Sequence, residues 1–76
     1  MRKLKLIWEF RGGDAEGTAK HHAIHLEEFA KKEALLFEAG YEVVDEFLTI
    51  AFLIIEEDKM IMVRDALRPQ RGEWVS

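Results

Sequence analysis

Apolar and polar side chains alternate along the first eleven residues. Leu4, Leu6, Trp8 and Phe10 stand between Lys3, Lys5, Glu9 and Arg11. A period of two predicts a β-strand over 3–11 with one buried face. Ile7 breaks the alternation on the other face, and Gly12-Gly13 ends the strand. The period then changes. Ala19, Ala23, Leu26, Phe29, Ala30 and Phe37 gather on one side of a helical wheel. That predicts an amphipathic helix capped by Asp14 or Thr18, running to about Ala39 and stopped by Gly40. Residues 41–47 and 49–56 read as two further strands, joined without the Gly, Pro or Asn that would name the turn. The later of them carries Ala51, Leu53 and Ile55 on one face and Ile50, Phe52 and Ile54 on the other. Such a strand has to be covered on both sides. After Glu56-Glu57-Asp58, the residues Met60, Val63 and Leu67 recur at i, i+3 and i+7, with Arg64 and Arg68 at the far end. This predicts a short helix ending before Pro69, in competition with a strand over 60–63. Gly72–Val75 fits a short edge strand.

These elements suggest an α+β fold, a ferredoxin-like βαββαβ sandwich with an antiparallel sheet. Two helices crossing on the same side cover only one sheet face. The apolar side chains on the other face then mark an interaction surface. The simplest occupant is a second copy about a two-fold axis, with Ile50, Phe52 and Ile54 at the dimer interface.

Composition narrows the picture. The chain of 76 residues is expected to form one domain over 1–76, small enough to bury only about 60% of its unfolded surface. A partner would therefore help its stability. A net charge of −4 argues against nucleic acid as partner, which needs a basic footprint. The absence of cysteine excludes disulfides and thiolate metal sites and favours a cytoplasmic location. The start resembles a signal peptide, but Lys5 and Glu9 interrupt its apolar stretch and no small-residue cleavage site follows. The apolar run from Leu48 to Ile55 is too short to span a bilayer, so no membrane partner is expected.

The layout resembles the dimeric α+β barrel superfamily, in which two ferredoxin-like protomers pack sheet to sheet. The run Gly17-Thr-Ala-Lys-His-His-Ala-Ile-His-Leu-Glu-Glu-Phe29 is similar to one in small uncharacterised bacterial proteins of that kind. The resemblance implies a fold and a homodimer. Its members include monooxygenases without a bound prosthetic group, haem-degrading enzymes and isomerases. No catalytic motif of theirs can be carried over, and no cofactor is assigned.

The chemistry-bearing residues concentrate on the long helix. His21 and His25 are four apart and share a helix face with Glu28. Two imidazoles and a carboxylate could supply three metal ligands with one position open. The competing reading is an ordinary polar flank in which His25 pairs with Glu28. His22 points nearer the apolar side, and His22 or His25 could act as general acid/base in an enzyme of the small barrel type. Trp8, Tyr41, Phe52 and Trp74 could line a pocket for an aromatic or other hydrophobic small molecule, although a chain this short needs its aromatics as core. The Gly12–Thr18 loop could cradle a phosphate, but Asp14 and Glu16 oppose an anion and no P-loop lysine follows. Arg64 and Arg68 share a helix face that could grip a carboxylate, or simply complement the helix C-terminus. The function expected from these residues is a homodimeric binding module for a small molecule or a protein partner. The enzyme and the metal or haem binder are the alternatives.

Overall fold

The computed structural model describes residues 2–75. Its elements are β1 (Lys3–Arg11), α1 (Ala15–Lys32), β2 (Glu38–Asp45), β3 (Leu48–Glu56), a 3-10 turn (Glu57–Lys59), α2 (Met60–Leu67) and β4 (Arg71–Val75). The strands form one sheet in the order β2-β3-β1-β4, and every neighbouring pair is antiparallel.

The alternation in β1 does what a period of two requires. Leu4, Leu6 and Trp8 are buried on the face under α1. They stand opposite Ile55, Leu53 and Ala51 of β3. Helix α1 presents Ala15, Ala19, Ala23, Leu26 and Ala30 to that face. The four alanines let the helix approach closely, and α1 packs against β1, β2 and β3. Helix α2 is shorter. Only Val63 is buried there, with Met60 and Leu67 packed at the core margin.

The fold-class expectation is corrected by this arrangement. A ferredoxin-like βαββαβ sandwich doubled into a dimeric α+β barrel presumes two matched halves with comparable crossover helices. The structure is instead a four-stranded antiparallel sheet with two unequal helices, in which α1 makes the crossover between β1 and β2 and supplies most of the helical layer.

Element boundaries shift for local reasons. Helix α1 ends at Lys32 and not near Ala39. Ala34 takes a left-handed conformation with φ 57°, and the Leu35 amide donates to the Ala30 carbonyl at 2.9 Å. This is the Schellman closure usually made by glycine. Beyond it Leu35, Phe37 and Ala39 alternate into β2. Gly40 is therefore a strand residue and not a helix stop. A Cβ there would lie 3.1 Å from the Phe52 ring, so the glycine makes room for that ring across the strand pair. The β2–β3 hairpin turns without Gly or Pro because the Asp45 carboxylate accepts from the Phe47 amide at 2.8 Å, an Asx turn. The register is irregular between Val43 and Asp45. Residues 60–67 are helix, as the i, i+3, i+7 pattern suggests. No helix among the described residues is long and apolar enough to cross a membrane.

Candidate functional site

The three histidines of α1 divide between two environments. His22 turns toward the sheet. Its ring centroid lies 5.2 Å from that of Trp8 and 5.4 Å from that of Phe10. Its Nε2 is buried and has no hydrogen-bond partner among the described residues. Burial first, and then the like charges of His25 and His21, lower its pKa from the ordinary histidine value. His22 is thus held neutral in an aromatic setting. Beside it the Trp8 indole Nε1 donates to the Leu67 carbonyl at 2.9 Å, tying β1 to the end of α2.

His21 and His25 lie on the solvent side. Their Nε2 atoms are 3.0 Å apart and the rings meet edge to face, with centroids at 4.6 Å. On the opposite edge of His25, Nδ1 is 3.1 Å from Glu28 Oε1. The expected trio therefore forms a chain, Glu28–His25–His21, and not a convergent three-donor cage. Among the described residues no group of three or more His, Asp or Glu is arranged to hold a metal ion. His22 and His25 do not share a site either, since one faces the sheet and the other faces solvent.

The four aromatic residues expected to line one pocket are dispersed. Trp8 and Tyr41 belong to one cross-strand row with Ala51 between them, so both lie on the face under α1. Trp8 is buried there as core. Phe52, in the alternate register, lies on the other face. Trp74 sits at the β4 edge beside Leu4, more than half exposed, with the Arg2 guanidinium 3.6 Å from its ring centroid. A cleft of about 450 Å³ does open elsewhere, between Lys3, Leu36, Phe37, Glu38, Ile54 and Glu56. Its size suits a small molecule, but it contains no histidine and none of the four aromatics. A shallower groove runs along Gly13, Asp14, Gly17, Thr18 and His21. In α2, Arg64 reaches Asp65 at 3.4 Å and Arg68 caps the helix in the left-handed conformation.

The most extensive feature is the sheet face that no helix covers. Leu48, Ile50, Phe52 and Ile54 run along β3, and Ile7 stands beside Phe52 on β1. On the β2 side this strip is flanked by Glu38 and Glu42, opposite Ile54 and Ile50. On the other side lie Lys3, Lys5 and Arg11 of β1 and Arg71 of β4, with Glu9 and Glu73 among them. In the single chain the long side chains fold across the strip. Lys5 Nζ is 4.7 Å from the Phe52 ring centroid and 4.0 Å from Glu42 Oε1. Arg71 reaches Glu9 at 3.3 Å and also pairs with Glu73. Ile7 and Ile50 are consequently buried, whereas Phe52, Ile54 and Leu48 stay half-exposed. Sequence reasoning found Ile50, Phe52 and Ile54 but missed Ile7 and the split of charge across the face. The one legible signal for Ile7 was its break in the β1 alternation. The split depends on strand order, which no local pattern carries.

Set against protein-family models, curated proteins and solved structures, the chain matches none of them.

Proposed function

We propose that the protein works as a homodimeric binding module, with the helix-free sheet face of one copy set against that of another. The observation that carries this reading is the apolar strip Leu48–Ile50–Phe52–Ile54, with acids on one flank and mostly bases on the other. A two-fold axis parallel to β3 lays the acidic β2 flank of one copy over the mainly basic β1–β4 flank of the second, with Glu38 level with Lys5. The same face is then complementary to itself, as an isologous interface requires. Lys5, now folded over Phe52, would exchange its intrachain acid for one across the seam and uncover the ring to pack. A partner also answers the limited core of a domain this small. With the sheet face occupied, α1 and its solvent-side histidines remain free for a ligand.

Light scattering on the untagged protein tests the dimer. The expected mass at micromolar concentration is twice the 8.9 kDa of the chain, and Ile54→Lys is expected to return it to the single mass with unchanged circular dichroism. A wild type of single mass across that range would overturn the reading.

A further inference from the structure

We propose that His21 and His25 form a two-nitrogen clamp for a late divalent transition metal of tetragonal geometry, copper(II) or nickel(II), with Glu28 holding His25 in the ligating tautomer.

The separation of the two Nε2 atoms, 3.0 Å, is the starting point. At a metal–nitrogen bond of about 2.05 Å, that separation subtends roughly 90–95° at an ion held by both. This matches cis positions of a square-planar or octahedral ion better than the wider tetrahedral angle of structural zinc. Imidazole donors in tetragonal geometry point to copper(II) or nickel(II), and the order of divalent affinities puts copper first. The spacing comes from the helix itself, because residues four apart stand one above the other on the same face.

Glu28 gives the pair a direction. Its Oε1 is 3.1 Å from His25 Nδ1, a distance at which neutral His25 donates its Nδ1 proton to the carboxylate. The His25 Nε2 lone pair is then aimed at His21, whose own Nε2 proton makes the contact. An incoming ion sits off the Nε2–Nε2 line and takes up both lone pairs once the His21 ring turns toward it, and His21 carries its proton on Nδ1 instead. A carboxylate behind a ligating imidazole is the usual way to fix its tautomer and raise its basicity. This revises the sequence expectation: Glu28 supports the site from behind and is not a third ligand. Two donors leave further positions of the ion open, and the groove of Gly13, Asp14, Gly17, Thr18 and His21 adjoins them. Water or a small anionic ligand can complete the coordination there.

The test is titration of untagged, chelator-treated protein with copper(II) chloride, followed by calorimetry and by electron paramagnetic resonance. The expected result is one ion per chain with a nitrogen hyperfine pattern. His21→Ala and His25→Ala are each expected to weaken binding at least ten-fold. Glu28→Gln should weaken it by about ten-fold while keeping the nitrogen pattern. Both histidines are exposed, so circular dichroism of the variants should match wild type. If the His21→Ala/His25→Ala double variant binds copper as tightly as wild type with the same spectrum, the clamp is overturned. The same holds if Glu28→Gln leaves the affinity unchanged, which would remove the tautomer argument.

Discussion

Ala34 and His22 sit in environments that their side chains do not favour. Ala34 adopts φ 57° to close α1, and a non-glycine residue in that region is strained by roughly 1–2 kcal/mol. Ala34→Gly should therefore raise stability by about 1 kcal/mol, or roughly 4–8 °C in melting temperature for a domain this size. A calorimetric scan showing no rise would mean that glycine's extra freedom in the unfolded chain cancels the relief. His22 is the second. Its folded-state pKa lies below the ordinary histidine value because burial disfavours the charged ring. Above about pH 6.5 the ring is neutral in both states and contributes no pH dependence. As pH falls below that value, the unfolded chain takes up the proton first, so stability declines until the folded-state pKa is passed. Urea midpoints in the presence of chelator should fall between pH 7.5 and 5.5, and His22→Leu should flatten that slope. An equal slope in the variant would place the pH sensitivity elsewhere. His22 was legible as the histidine nearest the apolar side of the helix. The partnerless state of its Nε2 was not, since that depends on Trp8 and Phe10 arriving from another strand.

The elements were legible where one period dominated. β1 alternates except at Ile7 and occupies Lys3–Arg11 as read. Helix α1 was overrun at its C-terminal end because Phe37 suits both the helical wheel and the two-residue period that leads into β2. Gly40 then looked like a natural stop, while the true stop is an alanine forced left-handed. Helix α2 is the less supported of the two helices, with one buried side chain, and its end is held by the Trp8 indole bond to the Leu67 carbonyl at 2.9 Å. Trp8→Phe keeps the aromatic packing and removes the donor. The expected loss is about 1 kcal/mol, and the change in hydrogen-exchange protection should be concentrated in α2 and the start of β4. Uniform loss across the sheet would show that the indole acts through core volume alone. Sequence reasoning left Trp8 open between pocket lining and core because a buried aromatic and a pocket-lining one have the same local pattern.

At the scale of the whole molecule, strand order sets what each face offers. Local periodicity identified an apolar set on β3 but could not say which strands flank it. The fold-class name drawn from the element list overreached for the same reason, since it assigned matched halves to helices of 18 and 8 residues. Once β2 is known to lie on one side of β3 and β1 with β4 on the other, the helix-free face acquires an acidic and a mainly basic flank. That polarity permits a test of the proposed dimer that does not touch its apolar strip. Lys5→Glu sets a carboxylate level with Glu38 across the seam, and Glu38→Lys sets an ammonium level with Lys5. Each variant alone should dimerise more weakly, on the order of ten-fold, because like charges face each other across the seam. Mixed in equal amounts, the two should recover association as a heterodimer, since one side of the seam then keeps the native Lys–Glu pair and the other carries it reversed. Salt should weaken the recovered species by screening these pairs at the rim. Native mass spectrometry resolves the mixture when one variant is labelled with nitrogen-15, because a single exchange of Lys and Glu hardly changes the mass. Two independent populations with no heterodimer would rule out the two-fold axis parallel to β3, even if the wild type proved dimeric by another route.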